Sequence, residues 1–486
     1  MTYAPSHTPS PGRWKALSLC LVAGFMTLLD VSIVNVALPS IRQGLDASAS
    51  DLQWIVAGYA LAFGVVLVPA GRLGDARSRR TVFAIGLGLF TLASGLAGAA
   101  PTSGWLSLAR IVQGIAAGMV APQVSGFIQT MFSGQERGKA FGLFGATIGI
   151  STAIGPLLGG VLVNAGGVEH GWRLVFYVNV PVGIVALLLV PRLLPPDVER
   201  RKESLDPVGV LLFAAATFLI LWPLVEGEDR ALSDRPWWIL GVSAALLVLF
   251  GLWERAFAAR GKATLVDLSL LRVRSYMLGL SIGTLYFAGF TSIFLVLTLY
   301  LQNGLGYDAL QAGLTQMPFA IGSAVASTIG GRLVGRFGRP LVVVGLALVA
   351  GALLTIDLLV AHLHGDVGIK LAAPLLIAGI GGGLVISPNV TLTLAEVDPR
   401  RAGSAGGMLQ TAQRVGSAIG VALVLAQFFS ALRSEHGDFA AALSTSMHTT
   451  VAFVVLALAL GVVELVVSAR RSGQEEPVPS ASARAD

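Results

Sequence analysis

The sequence has 486 residues, of which 54% are hydrophobic and 12% are charged, and its formal net charge is +6 at pH 7. Soluble proteins carry roughly a quarter charged residues, so this composition excludes a water-soluble domain as the main architecture. The positive charge does not indicate a nucleic-acid partner, because the Lys and Arg residues stand in short clusters between apolar segments, where they set membrane topology.

Apolar runs of about twenty residues recur along the chain, which is the length that a helix needs to cross a hydrocarbon core of roughly 30 Å. Polar and Gly/Pro-rich breaks between these runs predict about fourteen membrane-spanning helices. The predicted spans begin near residues 15, 52, 81, 104, 138, 172, 207, 236, 275, 311, 339, 370, 403 and 448. We therefore expect an all-α integral membrane protein surrounded by the lipid bilayer.

The positively charged residues are concentrated in loops on one predicted face of the membrane. If both termini are cytoplasmic, most Lys and Arg residues fall in cytoplasmic loops, as is typical of membrane proteins. Clusters after the second and sixth spans comprise Arg72, Arg77, Arg79, Arg80, Arg192, Arg200, Arg201 and Lys202. This asymmetry predicts a multi-pass protein of the cell (cytoplasmic) membrane with both termini in the cytoplasm.

A weak internal repeat indicates two related halves. The segment 71–80 follows the second span, and the similar segment 331–339 follows the tenth. Repeated halves are the usual plan of secondary transporters, which expose a midplane site alternately to either side. The predicted organisation is a cytoplasmic tail (1–14), a first six-helix half (15–194), an inserted helix pair with cytoplasmic connectors (195–274), a second six-helix half (275–471) and a disordered cytoplasmic tail (472–486).

The first span contains an acid, Asp30, about fifteen residues from its start. Placing an Asp at the centre of a membrane helix costs about 2.5 to 3.5 kcal/mol, which suggests a functional role. Burial disfavours the charged carboxylate and a nearby arginine favours it, so a change in exposure can switch the group between its protonated and ionised forms. We predict that Asp30 couples transport to protons; a buried hydrogen bond from a protonated Asp to another helix is the alternative.

The segment around Asp30, Leu-Asp-Val-Ser-Ile-Val-Asn-Val-Ala-Leu-Pro at residues 29–39, resembles the first-helix signature of a transporter family. This family is the fourteen-helix drug:proton antiporters of the EmrB/QacA type, within the major facilitator superfamily. Ser32 stands where Thr is more usual and keeps the hydroxyl. The resemblance covers nearly the whole chain and implies the major facilitator fold, with two six-helix halves plus two inserted helices.

The same resemblance implies a function. The expected activity is export of amphipathic drugs or toxic small molecules, often lipophilic cations, from the cytoplasm in exchange for protons, by alternating access and by a monomer. An exporter of one endogenous metabolite or antibiotic remains the alternative. The resemblance implies no cofactor, since the proton gradient supplies the driving force.

The loop at residues 71–80 resembles the general loop signature of the superfamily, although Ala76 and Ser78 replace its usual Arg and Gly. Its gating candidates are Gly71, Gly74, Asp75, Arg79 and Arg80. Two glycines permit a tight turn, Asp75 can accept bonds from helix N-terminal amides, and an arginine can pair across the cytoplasmic face. The alternative is a cluster that serves topology alone.

The fourth span contains Arg110 and Gln113, in a segment that resembles the arginine-containing fourth-helix motif of the superfamily. A guanidinium within hydrocarbon costs several kcal/mol unless it is paired or hydrated, so Arg110 needs an acceptor. Asp30 is the obvious candidate, which would assign Arg110 to proton coupling. Alternatively, Arg110 lies near the outer end of its helix and snorkels.

The fifth span resembles the signature associated with exporters. Its residues are Gly149, Gly155, Pro156, Gly159 and Gly160. The glycines at 155 and 159 leave one face bare, so that a neighbouring helix can approach closely, and the proline permits a bend. Ordinary helix packing is the alternative, so the export direction rests on the resemblance.

Polar and aromatic side chains within the spans are the candidates for a substrate cavity. They are Asn35, Tyr59, Gln113, Tyr286, Phe290, Gln316, Asn389 and Arg414. Tyr286 and Phe290 share one helix face, which could stack against flat or cationic substrates but could equally pack against lipid or a neighbouring helix. Arg414, in the middle of its span, lines a cavity or forms a bond between helices.

The sequence provides no motif for an enzyme. There is no Ser/His/Asp set, no phosphate-binding glycine loop and no cluster of metal ligands in the predicted spans. The single cysteine, Cys20, excludes an intrachain disulfide. We therefore predict a transporter that has no catalytic residues and no metal site.

Overall fold

The computed structural model describes residues 12–196, 206–225, 236–360 and 366–472. Within these ranges, 14 helices are long and apolar enough to cross a membrane, which confirms the predicted fold class. Most of them begin close to their predicted starts. The last begins at Phe439, earlier than predicted, because the carboxylate of Asp438 accepts hydrogen bonds from the amides of Ala440 and Ala441 and so caps the start of the helix.

The first half comprises α1 Arg13–Leu45, α2 Ala49–Ala76, α3 Arg79–Gly98, α4 Ser103–Met131, α5 Gly134–Tyr177 and α6 Asn179–Leu193. The long α5 is interrupted at Gly167, whose φ of 74° lies in the left-handed region that glycine tolerates. The fifth membrane span therefore ends at Gly167, and the sixth runs over Glu169–Leu193.

The inserted pair comprises α7 Pro207–Val225 and α8 Trp238–Ala259, and the second half comprises α9 Arg274–Leu299, α10 Ala309–Phe337, α11 Arg339–Val360, α12 Val367–Thr393, α13 Ala402–Ser434 and α14 Phe439–Ser472. The inserted pair packs at the edge of the bundle, where α7 contacts α2 and α13. Phe213 of α7 and Phe250 of α8 form a small apolar cluster with Val68 of α2 and Val266 of the connector.

Parts of the predicted tails and connectors lie outside the described residues. These are residues 1–11, 197–205, 226–235, 361–365 and 473–486, which include Arg200, Arg201, Lys202 and all of the predicted disordered tail except Ser472, which ends the last helix.

The two halves meet along two helix pairs, α2 with α13 and α5 with α10. The internal repeat relates these pairs, because α2 corresponds to α10 and α5 to α13. Both crossings pass through glycines: Gly71 lies against the backbone of Gly403, and Gly331 lies against that of Gly138. No side chain fits between the helices at either crossing, so both hold the halves in close contact at one end of the bundle. We call this end the loop face; it carries the α2–α3 turn and the short helix Pro399–Arg401.

Candidate functional site

Asp30 lies in a polar cluster inside the first half. Asp30 is fully buried, and its carboxylate forms an ion pair with Arg110 of α4. Two amide groups donate to the Oδ1 atom of Asp30, from Gln113 Nε2 at 3.3 Å and from Asn179 Nδ2 at 3.1 Å. The predicted pairing of Arg110 with the first-helix acid is therefore confirmed. The alternative of a snorkelling arginine is wrong, since only 2% of Arg110 is exposed.

Other hydrogen bonds fix the orientation of Arg110 and Gln113. The Nε atom of Arg110 donates to the carbonyl of Ile55 at 3.1 Å, and its Nη1 donates to Gln113 Oε1 at 3.0 Å. Gln113 Nε2 also donates to Ser94 Oγ at 2.8 Å. Helices α1, α2, α3, α4 and α6 thus all contribute to the cluster. A buried ion pair requires this kind of surrounding, because its desolvation must be offset by the pair and by further hydrogen bonds.

Tyr59 of α2 lies between this cluster and the centre of the protein. The guanidinium of Arg110 is 4.2 Å from the centre of the Tyr59 ring, a distance that allows a cation–π interaction. The Tyr59 hydroxyl donates to the carbonyl of Thr27 at 3.1 Å, which ties the ring to α1. Phe63, one turn further along α2, stacks on Tyr59 with ring centres 6.1 Å apart.

A central cavity lies between the two halves. It encloses about 870 Å³ of empty space, part of which is continuous with solvent, and helices of both halves line it. The lining is mainly apolar, and its polar members are Thr27, Tyr59, Ser125, Gln410, Gln413, Arg414 and Ser417.

Among the predicted cavity residues, the structure brings Tyr59 and Arg414 together in the lining of the central cavity. Gln113 does not line it but belongs to the Asp30 cluster. Asn389 lies in the interior of the second half, where it accepts a bond from Arg339 at 2.8 Å and donates to the carbonyl of Gly279. Asn35 is exposed and lies outside the lining.

The remaining predicted residues lie in or near a second, smaller cavity between α5, α9 and α10. Phe290 and Gln316 line this space of about 350 Å³, together with Pro156 of the fifth span. Gln316 Nε2 donates to Thr298 Oγ1 at 3.0 Å, which holds the amide against α9. Tyr286 lies apart from both linings, fully buried in the apolar core of the second half, where it stacks on Phe290.

The predicted gating residues close the loop face. The carboxylate of Asp75 accepts hydrogen bonds from the amides of Gly403 and Ser404 at the start of α13, at 3.0 and 2.8 Å. Arg79 pairs with Asp75 at 2.8 Å and donates to the carbonyl of Pro399 at 2.6 Å. The bonds to the start of α13 and to Pro399 join the two halves, as the sequence predicted for a helix N-terminus, whereas the Asp75–Arg79 pair lies within the first half.

Two other gating candidates act within the first half. Arg80 donates to the carbonyl of Pro191 at 2.9 Å, so it does not pair across the halves. Gly74 lies against the side chain of Gln123 of α4. Of the gating candidates, Gly71, Asp75 and Arg79 therefore make contacts between the halves at the loop face.

The glycines of the fifth span divide between two neighbours. Gly155 lies against Ser32 of α1, and Gly159 lies against Ile33, so the predicted close approach occurs with the helix that carries Asp30. Gly149 faces Ser323 of α10 instead, across the contact between the halves. A Cβ on Gly160 would have nothing within 4 Å.

Sequence reasoning missed several residues of these sites. Asn179, which was not among the predicted site residues, donates to Asp30. Phe63 contacts both Tyr59 and Arg414. Glu254 of α8 is fully buried and accepts from the amides of Leu265 and Val266 at 3.3 and 3.2 Å. A polar residue within an apolar span was the available signal for Asn179. Nothing in the pattern around Glu254 indicated that its carboxylate folds back onto the connector.

Comparisons with known proteins agree with this architecture. The sequence model of the Major Facilitator Superfamily matches residues 20–421. The chain is 37% identical over 434 residues to the "Probable actinorhodin transporter" of Streptomyces coelicolor, covering 89% of this chain and 75% of the relative. It is 36% identical over 473 residues to the puromycin resistance protein pur8 of Streptomyces alboniger, covering 96% of this chain and 92% of the relative. Among solved structures, the proton:xylose symporter XylE has a TM-score of 0.67 at 16% identity, covering 93% of this chain and 95% of XylE, which supports the fold alone.

Proposed function

The chain belongs to the major facilitator superfamily, and we propose that it is a proton-coupled antiporter that exports amphipathic small molecules from the cytoplasm by alternating access. The single observation that carries the proposal is the buried Asp30–Arg110 pair, which adjoins the central cavity through Tyr59. The names of the two relatives, one a transporter and one a resistance protein for an antibiotic, support the export of toxic compounds.

In this proposal the loop face is the cytoplasmic face, and both termini lie in the cytoplasm of a cell whose plasma membrane the protein spans. The distribution of Lys and Arg supports this orientation. The structure would then be a state in which Asp75, Arg79 and the Gly71–Gly403 contact close the central cavity to the cytoplasm. Release of these contacts would open the cavity towards the substrate.

The chemistry assigned to Asp30 is reversible protonation, and no covalent step or cofactor is needed. Ionised Asp30 neutralises Arg110 and holds α1 against α4. Protonation removes the charge from the carboxylate, which weakens the pair and leaves the guanidinium without its anion. The proton acts on Asp30, on one side of Tyr59, and the substrate binds in the cavity on the other side. Both therefore change the contacts among the same helices, α1, α2 and α4. We assign this exchange to a monomer.

The second candidate function is export of a single metabolite or antibiotic. The relative named for actinorhodin favours it, because that name refers to one compound. The same machinery serves both functions, and they differ only in how many compounds the cavity accepts.

Transport by everted membrane vesicles tests the proposal. Vesicles from an efflux-deficient host that expresses the full chain are supplied with puromycin, ethidium and a set of substituted anthraquinones. We expect at least one compound to accumulate when the lumen is acid and to be lost when nigericin collapses the pH gradient. Accumulation that persists after collapse, or that is equal in vesicles without the protein, would refute proton-coupled export. The number of accumulated compounds separates the broad exporter from the narrow one.

A further inference from the structure

The central cavity contains one formal charge among the residues that the structure places in its lining. That charge is the guanidinium of Arg414 on α13, and no Asp or Glu lies in the same lining. Asp30 is separated from the cavity, because Tyr59 stands in the lining while Asp30 and Arg110 do not. The cavity is therefore electropositive, whatever the protonation state of the coupling acid.

Arg414 differs from Arg110, the arginine of the Asp30 cluster, in its contacts. Arg110 is paired with a carboxylate and also donates to a backbone carbonyl and to an amide oxygen. Arg414 has an aromatic contact instead: its guanidinium is 4.6 Å from the centre of the Phe63 ring. Within the described part of the chain, no carboxylate lies within ion-pair distance of Arg414. Its planar set of N–H donors is thus left facing the cavity.

A guanidinium in a low-dielectric cavity attracts a group that can replace its missing anion. Carboxylates and similar planar oxyanions suit it best, because two parallel N–H donors match two oxygens. Gln413 lies on the same helix and adds an amide to this side of the cavity, whereas the Nε2 atom of Gln410, in the same lining, already donates to Ser125 at 3.3 Å. Aromatic rings from the other helices, Phe63, Phe144 and Phe287, provide flat apolar surface for the rest of a ligand.

We propose that the central cavity selects planar aromatic anions, with the carboxylate of the substrate bound to Arg414. The proposal rests on the assignment of this cavity as the substrate site. It restricts the range of expected substrates, because the substrates implied by the resemblance included lipophilic cations. A cation in this cavity would meet a like charge and no accessible carboxylate, so the energetics of binding oppose it.

Three ligands with one ring system test the proposal by binding alone. They are anthraquinone-2-carboxylate, 2-(hydroxymethyl)anthraquinone and the (trimethylammonio)methyl analogue, which are anionic, neutral and cationic. Their affinities for the purified full chain in detergent are measured by equilibrium dialysis. We expect the carboxylate to bind at least about tenfold more tightly than the ammonium compound, as the interaction of one charge pair in a partly buried site allows. Equal or tighter binding of the ammonium compound would overturn the proposal.

Substitutions assign the preference to one side chain. Arg414→Gln should weaken binding of the carboxylate by about tenfold and leave the neutral alcohol within about twofold, whereas Arg414→Lys should retain the anion preference. Arg433→Gln, at the exposed end of the same helix, is the matched control and should change neither affinity. If Arg414→Gln keeps the full preference for the carboxylate, the proposal is wrong.

The two proposals fail in different ways. If no anthraquinone is transported in acid-lumen vesicles but the purified protein prefers the carboxylate through Arg414, the inference holds and proton-coupled export does not. If gradient-dependent transport occurs but favours the ammonium compound, export holds and the anion preference is overturned.

Discussion

The guanidinium of Arg110 and the aromatic ring of Tyr59 are 4.2 Å apart, and only Tyr59 reaches the central cavity. The coupling acid and the cavity are thus separated by one side chain. Tyr59 stacks in turn on Phe63, whose ring is 4.6 Å from the guanidinium of Arg414. Two stacked rings therefore connect the arginine that is paired with Asp30 to the arginine that faces the cavity.

Removal of the Tyr59 ring should allow water to reach Asp30. We expect Tyr59→Ala to conduct protons without substrate, because the Asp30 cluster would then open into the cavity. Tyr59→Phe keeps the ring and loses only the hydrogen bond to Thr27, which is worth about 1 kcal/mol. This variant should therefore not conduct protons in the absence of substrate. Proton entry into proteoliposomes that contain pyranine measures the leak. A Tyr59→Ala variant as tight as Tyr59→Phe would show that Tyr59 is not the barrier.

The loop-face contact should open when Asp75 loses its charge. Asp75→Asn removes the negative charge that faces the start of α13 and one of the acceptors for its amides, and loss of an acceptor for a buried amide costs about 1–3 kcal/mol. We expect the distance between spin labels at Arg77→Cys and Glu396→Cys to shift towards longer values. Because Cys20 is the single native cysteine, a Cys20→Ala background suffices.

The matched control for Asp75→Asn is Asp51→Asn. Asp51 caps the start of α2 at the opposite face, so its substitution should leave the label distances unchanged. Equal distances in all three proteins would contradict a gating role for Asp75.

Of the two fifth-span glycines that lie against α1, Gly155 should be less replaceable than Gly159. A methyl group on Gly155 would overlap the side chain of Ser32, so Gly155→Ala should destabilise the protein by about 1–3 kcal/mol. Ser32→Gly should recover most of this loss in the double variant, because it removes the overlapping atoms. Gly160→Ala is the control, since nothing lies within 4 Å of that position. Thermal unfolding in detergent measures all four proteins, and lack of recovery in the double variant would contradict the assigned contact.

The connector after the inserted pair should depend on Glu254. Its carboxylate accepts from the amides of Leu265 and Val266, and loss of an acceptor for a buried amide costs about 1–3 kcal/mol. We expect Glu254→Ala to speed hydrogen exchange at these two amides, and Glu254→Gln, which keeps one acceptor oxygen, to have a smaller effect. Unchanged exchange in Glu254→Ala, measured by mass spectrometry in nanodiscs, would show that other contacts hold the connector.

The fold could be predicted from the sequence because lipid leaves few alternatives. A span needs a minimum apolar length, and the charged residues between spans set the topology. The pairing of Asp30 with Arg110 followed from the cost of leaving either charge alone in hydrocarbon. The inserted pair could be located along the chain, but its packing against α2 and α13 depends on surfaces that show no pattern in the sequence.

The cavity was less predictable, because the rotation of each helix about its axis is set by its neighbours. Gln113 was assigned to the cavity, although its spacing of three residues from Arg110 places both on one helix face. That spacing was a usable signal. Asn389 and Arg414 carried no comparable signal: one is held by Arg339 within the second half, and the other faces the space between the halves. Which of these two polar residues faces the cavity is decided only when the two halves are packed together.

Asp30→Asn tests the central claim most directly. The amide keeps the size of the side chain but can no longer bind and release a proton, so the variant should still bind substrate and exchange it down its own gradient. Proteoliposomes that contain either protein are loaded with a transported anthraquinone, and its movement is followed with and without a pH gradient. We predict that the gradient drives uphill transport by the wild-type protein and that Asp30→Asn exchanges substrate without any response to the gradient. Full gradient-driven transport by Asp30→Asn would contradict the account.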